Sequence, residues 1–220
     1  MSSVLSIERL WVAISGVVVL RGIALEVPRG GLVALVGRNG AGKTTTLRSV
    51  MGLLPASDGR IRLDGTELGS LAAHERARRG IGYMPEDRRL IGPLTVSDNL
   101  LLPVWATRLE RPTARLELVY HLMPEVKALA GQRAAQLSGG QQRLVATARA
   151  LMIATRLLLL DEPFEGLSPA FGERLAETIR RARQEGLSIL LAESDLKRVA
   201  FVDRTLTIER GAIMPLPAAR

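Results

Sequence analysis

Apolar and polar positions alternate through the opening third of the chain, and that pattern predicts strands. Val4–Leu10 alternates loosely, Val17–Leu20 is β-branched, and Gly30-Gly31 turns the chain into the apolar run Leu32–Val36. Arg60–Leu63 reads as a short strand leading into a turn at Asp64-Gly65, and Ile81–Met84 as another that Pro85 ends. Between them the period lengthens: Lys43–Leu54 reads as a helix stopped by Pro55. From Thr95 to Met152 the pattern is helical, with Thr95 or Ser97, Thr113 and Ser138 as candidate N-caps. The wholly apolar Leu157–Leu160 then fits a buried parallel strand. A helix over Ala170–Gln184, a strand over Ser188–Ala192, a short helix near Asp195–Ala200 and a strand near Thr205–Ile208 complete the chain. Strand–helix alternation at both ends of a helical block predicts an α/β fold with a helical insertion.

Composition narrows the function classes. At 220 residues the chain fits one domain with a substantial core. Cysteine is absent, which excludes disulfides and thiolate metal sites. Aromatics make up only 3% of residues, too few for a single-strand stacking platform. The net charge of +8 is carried mostly by arginines scattered among acids, which argues against nucleic acid as a partner. It fits either a solvated surface or attraction to anionic headgroups or nucleotide. Met1-Ser2-Ser3-Val4 does not open a secretory leader, and no apolar run approaches the roughly 20 residues of a membrane span. His74 and His121 have no metal-ligand neighbour at helical spacing and are expected on the surface. The clusters Arg76-Arg78-Arg79 and Arg180-Arg181-Arg183 are expected on solvated helix faces.

Two motifs carry chemistry. Gly37-Arg38-Asn39-Gly40-Ala41-Gly42-Lys43-Thr44 has the Walker A spacing and lies between an apolar strand and a helix. Its glycines let successive N–H groups turn inward on phosphate oxygens, and the helix start adds its positive dipole end. Gly37, Asn39, Gly40, Ala41, Gly42, Lys43, Thr44 and Thr45 are therefore candidate nucleotide contacts. Lys43 would reach the β- and γ-phosphates, and the Thr44 hydroxyl would bind Mg²⁺. Further on, Leu157–Leu160 delivers Asp161 and Glu162 to the carboxyl end of a buried strand, as in a Walker B motif. Asp161 would hold Mg²⁺, and Glu162 would orient or deprotonate the attacking water. An acidic loop capping the next helix is the plainer alternative.

Between these motifs stands Leu137-Ser138-Gly139-Gly140-Gln141-Gln142, which resembles the signature sequence of the ABC ATPases. The stretches Gly37–Gly59 and Ile81–Leu101, with Tyr83-Met84-Pro85-Glu86-Asp87-Arg88-Arg89, resemble the smaller ATPase of branched-chain amino-acid importers. The resemblance covers essentially the whole chain. It implies a P-loop NTPase (ABC ATPase) core with an N-terminal antiparallel β subdomain and a helical subdomain inserted at about residues 87–153. It implies ATP and Mg²⁺ as cofactors, with Ser138, Gly139 and Gly140 clamping nucleotide held by a second ATPase subunit, either a copy or a sister. It also places Glu86 at the Q-loop position, near metal and catalytic water. The implied partners are transmembrane permeases fed by an extracytoplasmic binding protein, at the cytoplasmic face of the inner membrane. ATP hydrolysis would drive amino-acid import there. The alternative is a low-turnover subunit that clamps nucleotide for its partner.

Three positions depart from the family pattern. Ile14 stands where an aromatic usually stacks on adenine, a difference of roughly 1 kcal/mol. Ser194 stands where many members have a switch histidine, whose loss can cost roughly 100-fold in rate. Phe164 stands where a small polar residue is commoner, in the stretch Pro163–Pro169 that resembles the loop communicating between the two sites; a part in that communication and simple packing at the dimer interface both stay open.

Overall fold

The computed structural model describes residues 2–108 and 112–214. Two sheets carry the fold. The first is antiparallel, in the order β2-β1-β4-β5, from β1 (Ser3–Ile14), β2 (Val17–Pro28), β4 (Asp58–Leu63) and β5 (Thr66–Glu67). The second runs β10-β9-β3-β8-β7-β6, from β3 (Leu32–Val36), β6 (Ile81–Met84), β7 (Leu157–Asp161), β8 (Ser188–Glu193), β9 (Arg204–Glu209) and β10 (Ala212–Ile213). All pairings in the second sheet are parallel except β9 with β10.

Successive side chains of a strand face opposite ways, so the central sheet feeds two cores. Val33, Leu35, Leu157, Leu159, Leu190 and Ala192 pack toward the antiparallel sheet and α1 (Lys43–Val50). Leu32, Ala34, Val36, Leu158, Leu160, Ile189 and Leu191 pack toward the helices on the other face. Those helices include α3 (Val96–Thr107), α4 (Pro112–Leu122), α5 (Pro124–Ala128) and α6 (Gly139–Ile153), all lying between β6 and β7. The last long helix, α7 (Pro169–Gln184), joins β7 to β8. The expected α/β class, with an antiparallel sheet at the N-terminal end and a helical block within a P-loop core, is the fold observed.

Local sequence explains most helix starts. Thr95 caps α3, sharing a reciprocal pair of hydrogen bonds with Asp98. Ser168 caps α7, with Pro169 in the first turn where its missing N–H costs nothing. Asp64 and Gly65, both at positive φ, turn β4 into β5 as expected.

Several boundaries differ from expectation. Helix α1 ends at Val50 rather than Leu54, because Gly52 adopts φ 76° and closes a Schellman cap ahead of Pro55. In that cap Leu53 N–H donates to Arg48 O at 2.8 Å and Gly52 N–H to Ser49 O at 3.1 Å. Strands β1 and β2 run well past Leu10 and Leu20, since antiparallel pairing carries Trp11, Arg21 and other exposed residues along. The turn after β8 is a short 3-10 helix, Leu196–Val199. Thr113 lies inside α4, whose approach at residues 109–111 falls outside the described residues. The short α2 (Ala73–Arg78) is the helix on which Arg76 and Arg78 were expected, α5 falls in the expected helical stretch, and strands β5 and β10 were not expected.

The arginine clusters divide. Arg180, Arg181 and Arg183 are solvent-facing and pair with Glu177 and Asp203. Arg76 is not on a solvated face: it is buried and donates to the Ser49 and Val50 carbonyls at the end of α1. A cation there satisfies acceptors that the helix leaves open. His74 and His121 are exposed, as expected.

Candidate nucleotide site

The chain leaves β3, all of whose residues are buried, at Gly37. A Cβ on Gly37 would lie 2.3 Å from the Ile208 carbonyl oxygen, so no larger residue fits between loop and sheet. Gly42, at φ 112°, is the N-cap of α1, and no side chain satisfies the helix's first N–H groups. The first turn of α1 carries no acid either. Such a start presents open donors and a positive dipole end, which suits an anion.

Lys43 is buried at this start and folds back on the loop. Its Nζ donates to Gly37 O at 2.8 Å and to Arg38 O at 3.3 Å, and lies 3.0 Å from Glu162 Oε1. Thr44 Oγ1 donates to Asp161 Oδ1 at 3.0 Å, joining α1 to the end of β7. Tyr83, on the neighbouring β6, donates its hydroxyl to Asp161 Oδ2 at 3.2 Å. Asp161 is fully buried, and desolvation raises its pKa to about 6, with Glu86 and Glu162 pushing the same way. The hydrogen bonds from Thr44 and Tyr83 pull it back only partly. Burial and the Asp161 charge together push the Tyr83 phenol up, so it stays protonated and donates.

Glu162 follows at φ 48°, a left-handed conformation that bulky residues rarely adopt. Its carboxylate is held on two sides: Oε2 accepts from Ser194 N–H at 3.2 Å and Ser194 Oγ at 3.3 Å, while Oε1 faces Lys43. Gly40, Gly42, Lys43, Thr44, Thr45, Asn39, Glu86, Glu162 and Ser194 line a cavity of about 300 Å³. Thr44, Glu86 and Glu165 also border an adjoining cavity of about 610 Å³, where Asp161 and Tyr83 meet Arg48, Arg88 and Arg89. Glu86 is exposed at the rim shared by both spaces.

The family described as ABC transporter matches residues 20–165, which span the P-loop, the Ser138 motif and the Asp161-Glu162 pair. This chain belongs to the ABC transporter ATPase family. It is 37% identical over 196 residues to the high-affinity branched-chain amino acid transport ATP-binding protein BraG of Pseudomonas aeruginosa, covering 89% of this chain and 84% of that protein. It is 34% identical over 213 residues to the lipopolysaccharide export system ATP-binding protein LptB of Escherichia coli K12, covering 96% of this chain and 88% of that one. Among solved structures, an ATP binding subunit of an ABC transporter aligns with TM-score 0.85 at 27% identity, over 97% of this chain and 89% of that chain. A bacterial ABC transporter cassette in dimeric form aligns with TM-score 0.86 over 96% of this chain and 97% of that one; at 23% identity it shows the fold alone. The protein is thus an ATP-binding ABC subunit and an ATPase.

The structure separates this ABC ATPase's expected site residues into two groups. Asn39, Gly40, Gly42, Lys43, Thr44 and Thr45 line the two adjoining cavities with Asp161, Glu162 and Glu86, whereas Gly37 and the buried Ala41 line neither. Ser138, Gly139 and Gly140 line neither of them. They open α6, where Ser138 Oγ accepts from Gln141 N–H at 3.3 Å and Gln141 Oε1 accepts from Ser138 N–H at 2.8 Å. Ser138 and Gly139 are exposed.

Two functional neighbours escaped the sequence reading. Arg143 is buried on α6, donates to the Glu162 carbonyl, and reaches Glu165 Oε2 at 3.3 Å. An arginine amid the buried Leu144, Val145 and Ala146 was the available signal. Tyr83 gave no signal, because its partner lies 78 residues away along the chain.

Phe164 packs within its own chain. It is buried in the helical core and meets Phe201 edge-on at 5.9 Å between centroids. Ile14 stays at the exposed end of β1 and lines neither cavity around the P-loop. Among the described residues no helix is long and apolar enough to cross a membrane.

Proposed function

We propose that this ATPase powers an importer of branched-chain or related amino acids, with Glu162 positioning the attacking water and Lys43 holding the β- and γ-phosphates. The observation that carries the reading is the convergence of Lys43, Thr44 and Glu162 on one cavity, beside a helix start that has no internal cap. Phosphate oxygens entering there would take Lys43 Nζ from the Gly37 and Arg38 carbonyls. That exchange replaces neutral acceptors with charged ones, which is favourable in a buried site.

Thr44 and Asp161 supply a hydroxyl and a carboxylate oxygen only 3.0 Å apart, a hard donor pair suited to Mg²⁺ with water and phosphate completing its shell. Asp161, buried and pushed toward neutrality, has a cation to gain. Bound there, Mg²⁺ would neutralise charge on the β- and γ-phosphates. Glu86, at the rim, would contact that shell through water. Glu162 would accept a hydrogen bond from the attacking water. As the water oxygen bonds to the γ-phosphorus, the bond to the bridging oxygen breaks, leaving ADP and inorganic phosphate.

The exposed, self-capped start of α6 supports a role for Ser138, Gly139 and Gly140 toward nucleotide on a second ATPase subunit. Similarity to BraG supports permease partners, an extracytoplasmic binding protein and a place at the cytoplasmic membrane face. The inserted helices at about residues 87–153 would then meet the permeases. Similarity to LptB over 96% of the chain favours a second reading, export of a lipid-linked substrate. Uptake of labelled leucine by cells lacking this chain decides between them: lost uptake supports import, and unchanged uptake favours export.

Steady-state MgATP turnover tests the site in the full chain with its co-purifying membrane proteins. Glu162→Gln and Lys43→Ala should each lower it at least about tenfold. If Glu162→Gln turns over at the wild-type rate, hydrolysis belongs to the partner's site and this chain serves as a clamp.

A further inference from the structure

Glu193 ends β8 and is fully buried, yet no part of the ATPase reading so far uses it. It sits where three site segments meet. Its backbone carbonyl accepts from Gly37 N–H at 3.1 Å, tying the strand to the phosphate loop. Its Oε1 accepts from Phe164 N–H at 2.9 Å, in the loop after β7. The preceding residue, Ala192, accepts from Glu162 N–H at 2.9 Å. The following residue, Ser194, holds Glu162 Oε2.

The other oxygen, Glu193 Oε2, is buried and accepts no hydrogen bond. The Arg198 guanidinium stands 3.6 Å away, beyond hydrogen-bond length, and is 38% exposed. Glu162 Oε1 is also buried without a hydrogen bond, although Lys43 stands near it. The bonds from Glu162 N–H to Ala192 O, from Phe164 N–H to Glu193 Oε1 and from Ser194 to Glu162 Oε2 hold the two side chains side by side, which brings their two unpartnered oxygens into position to meet. Two carboxylates cannot donate to one another, so such a contact needs a proton on one of them. Lys43 Nζ stands 3.0 Å from Glu162 Oε1, whereas Glu193 has the Phe164 N–H, the long Arg198 contact and the more distant Arg143 on α6.

We infer that Glu193 is a positioning residue for Glu162: a neutral carboxylic acid whose O–H donates to the Glu162 carboxylate and fixes it toward the phosphate-loop cavity. The inference rests on the proposed role of Glu162. A neutral donor suits the place because a second carboxylate would repel Glu162 and compete for Lys43. Desolvation is the largest cause raising the Glu193 pKa to about 8, with the Glu162 hydrogen bond and charge adding to it. Its hold is therefore present at neutral pH and is lost as pH rises through that value.

The test compares turnover, the KM for ATP and melting of wild type, Glu193→Gln, Glu193→Met and Glu162→Gln across that pH range, using the full chain with its co-purifying membrane proteins. Wild-type turnover should fall on the alkaline side. Glu193→Gln keeps a donor for Glu162 and an acceptor for Phe164 N–H but cannot ionise. It should retain neutral-pH turnover and lose the alkaline fall. Glu193→Met has no donor, and its kcat should drop at least about tenfold with KM within about twofold. The inference is overturned by an unchanged alkaline fall in Glu193→Gln, by a Gln variant as slow as Glu162→Gln, or by a folded Met variant with wild-type kcat. Should the Met variant fail to fold, the pH profile of the Gln variant decides alone. Wild-type turnover in Glu162→Gln would instead remove the role of Glu162 itself, whereas a dead Glu162→Gln beside silent Glu193 variants removes only the positioning.

Discussion

Two helices of this ATPase begin after glycine-rich motifs, and they begin in opposite ways. Helix α1 starts at a left-handed glycine with no side-chain cap, and its first residue, Lys43, is buried against Glu162. Helix α6 starts at Ser138 with a complete capping box and faces solvent. Both have the positive dipole end that favours an anion. Only α1 lies where β7 and β8 deliver Glu162 and Ser194 to one cavity and Asp161 to the adjoining one. The first start gathers its open N–H groups, Lys43, Thr44 and Glu162 around one cavity within the chain, as the proposed phosphate site requires. The second is exposed and lines neither cavity, and its proposed ligand is nucleotide on a second subunit. A glycine-rich helix start becomes a site through what the tertiary structure places opposite it.

Gly37→Ala should break the first start most severely. Its Cβ would meet a backbone carbonyl at 2.3 Å, and the strand pair behind it cannot yield cheaply. A loss of about 3 kcal/mol in denaturant unfolding is expected, together with loss of nucleotide binding. Arg143→Met should come next, since it removes the charged donor to the buried Glu162 carbonyl and leaves it the 3.3 Å bond from Glu165 N–H. Stability should fall by about 2 kcal/mol, and turnover should fall while the KM for ATP holds. Equal losses in turnover and affinity would show that Arg143 supports the whole pocket rather than Glu162.

Asp161 gives a smaller, pH-dependent effect. Its folded pKa, about 6, lies above the ordinary value of 3.8, so the native state binds more protons than the unfolded chain between those values. Stability of the nucleotide-free protein should therefore decline as pH rises through that window. Melting followed with and without MgATP checks it, because a bound cation would remove the decline; Asp161→Asn should remove it as well. Ser138→Ala should cost least, about 1 kcal/mol, as for any exposed N-cap. If Ser138→Ala weakens ATP binding by the isolated subunit as strongly as Lys43→Ala does, the contrast between the two helix starts fails.

Much of this was legible along the chain. Leu157–Leu160 and Leu32–Val36 are wholly apolar because both faces of a parallel strand are covered, and each run ends at its site residues. Thr95, Ser138 and Asp64-Gly65 act through neighbours within a few residues, so local chemistry alone placed them. The failures share a different cause. Helix α1 stopped early because a Gly52 cap preceded the more conspicuous Pro55. Arg76 and Phe164 went inward because their partners, the end of α1 and Phe201, are distant along the chain.

The sequence by itself determined the order of the longer strands and helices, the phosphate loop, the acid pair and the family to which they belong. These rest on spacing and period, which survive in one dimension. Only the tertiary structure decided that Lys43 lies against Glu162, that Tyr83 and Thr44 share Asp161, and that Glu193 is buried beside Glu162. Each of those contacts joins residues brought together by parallel strand pairing across long crossovers. Burial then sets their charge states, because removing water penalises ionised groups by an amount that no local pattern encodes.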